Sequence, residues 1–124
     1  MTKKNIPTEE EFARASAILK ERSRGLSQVR ENILTIFGGG NGVHEFFILG
    51  GVGKHFTVYI FYQWDREIKE KEDLGFSADI IESVFEEMDR VGRGNKSEIK
   101  INFEFDSNEV VQKKYKGNYY NRLR

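Results

Sequence analysis

Apolar residues near the start of the chain recur at the three- and four-residue spacing of a helix. The apolar positions of this stripe are Phe12, Ala15, Ile18 and Leu19. Thr8 and Glu11 have the spacing of a capping box, in which each side chain bonds the backbone amide of the other residue. Gly25 follows a basic last turn and is a typical helix terminator. The pattern therefore predicts an N-terminal helix that begins after Thr8 and ends before Gly25.

The next segment, residues 26–37, fits two structures. Its apolar residues have helical spacing if Ser27 is the N-cap, whereas residues 33–37 alone have the composition of a strand. A glycine-rich run at residues 38–42 ends the element in either case. Both interpretations of residues 26–37 stay open at the level of the sequence.

Three later segments have the pattern of strands. Residues 44–49 are short and aromatic, and residues 56–64 alternate between two faces. In residues 98–106 the alternation is clearest, with apolar side chains at every second position from Ile99 to Phe105. Because one face of that strand is apolar and the other polar, we expect an antiparallel sheet with one face exposed to solvent.

A second long helix is predicted at residues 77–91, after a charged connector at residues 65–75. Ser77 is its expected N-cap, and its buried stripe is expected to contain Ile81, Val84, Phe85 and Met88. A turn at residues 106–108 and a short helix at residues 109–116 follow. The fold class is therefore α+β: one domain spanning residues 1–124, with an antiparallel sheet, an N-terminal helix and the helix at 77–91 packed on the sheet.

The stretch at residues 50–53 precedes Lys54 and superficially resembles a phosphate-binding loop. That motif needs glycine at position 48 and a hydroxyl at position 55, but the chain has Ile48 and His55 there. The motif also needs a helix directly afterwards, whereas the next residues alternate as a strand does. A hairpin turn accounts for the same glycines, so we predict a hairpin and no nucleotide site.

The composition excludes several kinds of functional site. The chain has no Cys, which excludes disulfides, thiolate metal sites and cysteine nucleophiles. Two histidines without a carboxylate motif do not predict a metal site, and no cofactor is expected. The N-terminal segment lacks the apolar stretch of a secretory signal, and no stretch approaches the roughly 18 apolar residues of a membrane span. These features predict a cytoplasmic protein without a membrane partner.

Charge is balanced overall but unevenly distributed along the chain. Residues 65–109 have a net charge of −7, and residues 110–124 have a net charge of +5. An acidic segment suits a basic partner, whereas a tail that mixes Tyr with Lys and Arg is typical of nucleic-acid binding. One alternative is therefore a small RNA-binding module that uses sheet aromatics and residues 110–124. Another is a small nuclease in which His44 and His55 meet across the hairpin.

The C-terminal third carries a resemblance to a known group of proteins. Residues 101–108, INFEFDSN, and residues 115–124, YKGNYYNRLR, resemble the endings of small bacterial immunity proteins, and of YezG-like immunity proteins in particular. These are cytosolic antitoxins that neutralise polymorphic toxins or toxins delivered by contact-dependent growth inhibition. The group shares a small α+β plan with an acidic helix before the last strands. The resemblance implies a toxin-binding protein and not an enzyme.

Such an inhibitor covers the active site or substrate groove of its toxin, and many of these toxins are nucleases with basic surfaces. Carboxylates that imitate phosphate would then speed capture, and aromatic side chains would anchor the contact. The candidate carboxylates are Asp79, Glu82, Glu86, Glu87 and Asp89 on the helix exterior, with Glu104 and Asp106 on the last strand. The candidate aromatic anchors are Tyr59, Phe61 and Tyr120.

Overall fold

The structure is a computed structural model that describes residues 8–124, apart from the side chain of Asn41. Its helices are α1 (Glu9–Ser23), α2 (Leu26–Phe37), α3 (Arg66–Asp73), α4 (Phe76–Arg90), α5 (Asn108–Tyr115) and α6 (Tyr119–Leu123), with a 3₁₀ turn at Gly39–Asn41. Its strands are β1 (Val43–Gly50), β2 (His55–Tyr62) and β3 (Lys100–Ser107). The predicted α+β class is confirmed. The sequence argument about a secretory signal rests partly on residues 1–7, which lie outside the described residues.

The sheet has the order β1-β2-β3, with β2 at its centre. β1 and β2 form the predicted antiparallel hairpin, in which Ile48 lies opposite Val58. β3 runs parallel to β2, with Phe103 beside Val58, so the prediction of antiparallel pairing was wrong at this position. The cause is the connection, because α3 and α4 carry the chain back along β2 before β3 begins. A helical crossover of this length joins parallel strands.

One face of the sheet, called here the helix-covered face, carries the apolar core. α2 and α4 pack on it, and their stripes meet alternate residues of β2. The completely buried side chains of this core include Val29, Ile33, Phe46, Val58, Ile60, Ile80, Val84 and Met88. Burying one such aliphatic or aromatic side chain stabilises the fold by about 1.5–3 kcal/mol. The core thus joins α2, the hairpin and α4 into one apolar layer.

α1 begins with the predicted capping box. The amide of Glu11 donates to Thr8 Oγ1 at 3.1 Å, and the amide of Thr8 donates to Glu11 Oε2 at 3.4 Å. Gly25 has a φ of 77°, and this left-handed conformation separates α1 from α2. The predicted start and end of the first helix are therefore confirmed.

Residues 26–37, which the sequence left open, form the helix α2. The helical form buries Leu26, Val29, Ile33 and Phe37 on one side, which a strand with two-residue alternation cannot do. Ser27 lies inside the first turn and does not cap the helix, because Gly25 occupies the N-cap position. Tertiary packing on the sheet thus decides the conformation of a segment that periodicity could not.

The charged connector at residues 65–75 contains α3, a helix that the sequence analysis did not predict. Ile68 is its one apolar residue, so the segment has no hydrophobic period. Ion pairs one turn apart join Arg66 to Glu70 at 3.8 Å and Lys69 to Asp73 at 3.6 Å. Pairs of this spacing stabilise an exposed helix by about 0.2–0.5 kcal/mol each.

α4 corresponds to the predicted helix at residues 77–91, with a shifted start and a rotated buried face. Gly75 is its N-cap, and Ser77 is buried with its hydroxyl 2.7 Å from the hydroxyl of Tyr62. Ile80 is fully buried, whereas Ile81 is only partly buried. The rotation gives the buried Tyr62 hydroxyl the polar partner that it needs.

The C-terminal helices cross to the other face of the sheet. Ser107 caps α5 by accepting from the amide of Val110 at 3.2 Å, and a left-handed Lys116 (φ 53°) reverses the chain. The Tyr119 ring of α6 then lies 4.9 Å from the ring of Phe61. Phe61 alternates along β2 with the core residue Ile60, so α6 lies opposite α2 and α4. We call this side the C-terminal face.

Candidate binding surfaces

The clearest charged surface is a row of carboxylates on α4. Its members follow one another at three- and four-residue intervals, and all are exposed: Asp79, Glu82, Glu86 and Asp89. At this spacing they line one side of the helix, opposite the buried Ile80 and Val84. The row, called here the acidic stripe, extends about 15 Å along the helix axis.

The acidic stripe is only partly neutralised by the protein itself. Glu82 forms an ion pair with Lys96. Among the described residues, no ion pair involves Asp79, Glu86 or Asp89. Nothing within residues 8–124 neutralises these three carboxylates, so they can bind cations of another molecule.

Glu87 was also predicted to lie on the helix exterior, and that placement was wrong. Its side chain is only 5% exposed, and its Oε2 lies 3.2 Å from Arg90. The Asn32 amide of α2 donates to its Oε1 at 2.5 Å. Because α4 and α2 pack closely, the one carboxylate on this side of α4 is paired inside the protein. Glu87 joins two helices and does not belong to the acidic stripe.

The predicted residues of the last strand lie on the C-terminal face and are paired with Arg122. The Arg122 Nε donates to Asp106 Oδ2 at 2.7 Å, and its Nη2 lies 3.6 Å from Glu104 Oε1. The side chains of Arg122 and Asp106 are 18% and 17% exposed. Asp106 is thus bound from within the molecule, whereas Glu104, which is 41% exposed, keeps contact with solvent.

Aromatic rings surround the Arg122 guanidinium. It lies 5.7 Å from the ring centre of Tyr59 and 5.8 Å from that of Phe61. Phe61 is fully buried, and Tyr59 is partly covered. Tyr120, by contrast, is 75% exposed. Of the three predicted aromatic anchors, only Tyr120 presents most of its ring to solvent.

Burial and charge also shift the ionisation of this cluster. Burial opposes the charge on Arg122, but its hydrogen bond to Asp106 and the charges of Asp106 and Glu104 outweigh that effect and raise the pKa of the guanidinium. Burial, together with the charges of Glu45 and Asp106, raises the pKa of Tyr119 to about 12. The neutral Tyr119 hydroxyl donates to Asn108 Oδ1 at 2.6 Å. Arg122 is therefore charged and Tyr119 neutral across the physiological range.

The structure divides the predicted site residues between two sides of the molecule. The acidic stripe belongs to the helix layer, and Glu104, Asp106, Tyr59, Phe61 and Tyr120 belong to the C-terminal face. No single flat contact reaches both groups, because the sheet lies between them. Arg122 and Tyr119 organise the second group, and neither was predicted from the sequence as a site residue. The mixture of Tyr and Arg in the tail was the only signal of them.

The two histidines do not come together. The hairpin turns at residues 51–54, so the exposed His55 lies beside the turn, and the exposed His44 lies at the far end of β1. Six residues of β1 separate His44 from the turn, which places the two rings about 20 Å apart along the hairpin. The predicted proximity of His44 and His55 was therefore wrong. Within residues 8–124, no group of three His, Cys, Asp or Glu residues could hold a metal ion.

Comparisons with protein-family models, curated proteins and solved structures found no match to this chain. The resemblance to immunity proteins therefore stays a prediction from the residues quoted above. None of the helices in the described part of the chain is long and apolar enough to span a bilayer.

Proposed function

We propose that this protein is a cytoplasmic immunity protein, which neutralises a bacterial toxin by stoichiometric binding through the acidic stripe. The bound stripe would cover the toxin's active site or its substrate surface. The observation that carries the proposal is the row of four exposed carboxylates, three of which have no ion-pair partner among the described residues. The toxin class that fits such a row best is a nuclease, whose substrate surface is basic.

A comparison of neighbouring helices supports this choice of surface. α3 is also acidic, but Arg66 and Lys69 neutralise Glu70 and Asp73 on the same helix. Among the described residues, the acidic stripe of α4 has only the pair between Glu82 and Lys96. Its field therefore extends into solvent, where it raises the rate of encounter with a basic partner.

The spacing of the stripe also suits imitation of a nucleic-acid strand. Successive carboxylates are separated by three or four residues, which is about 4.5–6 Å along the helix axis. A basic groove that binds a phosphate backbone would meet a comparable row of negative charges. The acidic stripe needs no rearrangement for this contact, because the apolar side chains on the opposite side of α4 hold the helix against the core.

The alternative of RNA binding through sheet aromatics has less support. Phe61 is buried under α6, and Tyr59 lies against the Arg122 guanidinium. A base could stack on these rings only after α6 had left the sheet, which would cost the ion pair between Arg122 and Asp106. A sequence pI of about 6.8 also disfavours RNA binding, because nucleic-acid-binding domains are usually basic.

The test compares the wild type with two variants that change the net charge equally. The stripe variant is Asp79→Asn/Glu86→Gln/Asp89→Asn, and the control is Glu70→Gln/Glu72→Gln/Asp73→Asn on α3. Each tagged protein is used to capture partners from lysates of the native host and of neighbouring strains, at moderate and high salt. Bound proteins are identified by mass spectrometry, and their toxin activity is titrated with each variant.

We expect the wild type and the control to retain one protein with a toxin domain and to inhibit it at a 1:1 ratio. The stripe variant should bind it at least about tenfold more weakly, with a shallower salt dependence. Equal retention by the stripe variant and the control would show that the acidic stripe is not the binding surface. Recovery of RNA or ribosomal material instead of a toxin would replace the immunity function with the nucleic-acid alternative.

A further inference from the structure

α1 is fixed to the rest of the protein at its C-terminal end. Arg93 Nη1 donates to the carbonyls of Glu21 at 2.6 Å and Arg24 at 3.0 Å. In return, Arg24 Nη1 donates to the carbonyl of Val91 at the end of α4, at 3.2 Å. These two arginines thus bind carbonyls at the C-terminal ends of both helices. The direction of α1 is therefore specified by bonds to the turn that follows α4.

The apolar stripe of α1 is nevertheless left uncovered. Phe12 is 66% exposed, Ile18 is 55% exposed and Leu19 is 62% exposed, and no residue of α1 is buried. Leu19 also borders a groove of about 350 Å³ that continues to Leu26 and Ile48. A helix with an apolar stripe ordinarily buries it against another element, and none of the described residues does so here.

We propose that a second copy of this chain covers the stripe, with the two α1 helices packed antiparallel about a two-fold axis. Phe12 and Leu19 lie seven residues apart, two turns of the helix, so they share one side of it. An antiparallel pair places Phe12 of each copy against Leu19 and the adjoining groove of the other. Between them, Ala15 and Ser16 are small enough for the two backbones to approach closely. Such an interface is self-complementary, as a two-fold axis requires.

The charges of α1 select the same arrangement. Its first turn is acidic and its last turn is basic, so an antiparallel pair brings opposite charges together at both ends. A parallel pair would instead place like charges beside each other. With about 100° between successive residues, the side chains that meet along the two flanks of the interface are Glu9 with Lys20 and Glu11 with Arg22.

The contact is small, so we expect monomer and dimer to be in an equilibrium that depends on protein concentration. Two 15-residue helices that meet along one stripe bury less than the roughly 1,200 Å² of a standard stable interface. The first test is therefore sedimentation equilibrium over a wide range of protein concentration. It compares the wild type with Phe12→Gln/Leu19→Gln, and with the control Val52→Gln/Leu74→Gln, whose two parent residues are 77% and 80% exposed elsewhere.

We expect the wild type and the control to dimerise alike. Removal of Phe12 and Leu19 should raise the dimer dissociation constant by at least about tenfold, since each side chain loses its apolar burial in the interface. A wild type that stays monomeric throughout the range would overturn the proposal. So would equal dimerisation of Phe12→Gln/Leu19→Gln, because the contact would then lie elsewhere.

The absence of native cysteine allows a second test of the geometry. Ala15→Cys lies beside the proposed two-fold axis and should form a disulfide-linked dimer under mild oxidation. Ala17→Cys, a matched change on the far side of α1, should form no disulfide link between the two copies. Phe12→Cys should link slowly, because the two copies of position 12 would be about 10 Å apart. If Phe12→Cys links fastest, the helices are parallel, and if Ala17→Cys links as fast as Ala15→Cys, α1 does not form the interface.

Discussion

The two faces of the sheet are stabilised by different kinds of interaction, although they share the strand β2. On the helix-covered face, Val58 and Ile60 share a core with Ile33 of α2 and with Ile80 and Val84 of α4, and all five side chains are fully buried. On the C-terminal face, Tyr59 and Phe61 meet the cation of Arg122. The first face depends on area removed from water, which has no preferred direction. The second depends on a few contacts whose geometry is specific.

This difference predicts how the two faces respond to change. Loss of a methyl group in the core leaves a cavity, and its cost grows with the volume left unfilled. Loss of a partner in the cation cluster leaves a carboxylate without its donor, and its cost depends on how much water can enter. The core should therefore respond to side-chain volume and hardly to pH, whereas the C-terminal face should respond to charge and to pH.

The largest effect is expected from Ile60→Ala in the centre of β2. We expect it to lower the free energy of unfolding by about 2–5 kcal/mol, because the cavity lies between two helices and cannot easily collapse. The matched variant Ile60→Val removes less volume and should lower it by about 0.5–1.5 kcal/mol. Urea denaturation followed by circular dichroism measures both. A loss below about 1 kcal/mol for Ile60→Ala would mean that α2 and α4 do not enclose this residue as described.

An intermediate effect is expected from Arg122→Ala. The variant leaves Asp106 and Glu104 without their cation, and we expect a loss of about 1.5–3 kcal/mol in the free energy of unfolding. Arg122→Lys keeps the charge but lacks the planar group that lies against both rings, so it should recover less than half of that loss.

The control for this change is Arg124→Ala, which alters an exposed arginine two residues away. It should change the free energy of unfolding by no more than about 0.5 kcal/mol. Equal losses for Arg122→Ala and Arg124→Ala would show that α6 is not held by the carboxylates of β3.

The helix-covered face was the easier of the two to predict from sequence. The alternation in β2 and β3 and the presence of the helix α4 follow from the spacing of apolar residues, because burial imposes that spacing. The buried face of α4 is nevertheless rotated from the predicted one, toward Ile80. The parallel pairing of β3 did not follow, since it depends on α3, a helix with almost no apolar residue to reveal it. The conformation of residues 26–37 was likewise decided by contact with the sheet.

The charged residues of the candidate site were harder to predict, because the sequence does not show whether a carboxylate is free or paired in the folded protein. Glu86 and Glu87 are neighbours, yet one is exposed and the other is buried against Asn32. The rotation of α4 about its axis, by about one residue, decides which of the two is buried. Asp106 finds Arg122 sixteen residues later, across a reversal of the chain. Only the tertiary fold brings such partners together.

The smallest effect, and the one that best distinguishes the two faces, is expected from Tyr119→Phe. At neutral pH the variant loses one hydrogen bond to Asn108, which is worth about 1 kcal/mol. Asn108 keeps the amide of Gln112 as a donor at 3.3 Å, so no buried acceptor is left without a partner there. Ile60→Ala, by comparison, should lose the same free energy at every pH at which the protein is folded.

The pH dependence follows from the raised pKa of Tyr119, which is about 12 in the folded protein against the model-compound value of 10.0. Between these two values the unfolded chain has released the phenol proton and the folded protein still holds it. Folding then binds a proton, so the wild type loses stability as the pH rises through this range. Tyr119→Phe lacks this contribution, so the difference in stability between the two proteins should narrow above about pH 10. Urea denaturation at a series of pH values measures that difference. A difference that stays constant would mean that the Tyr119 hydroxyl is open to water and that α6 covers the sheet less closely than these contacts indicate.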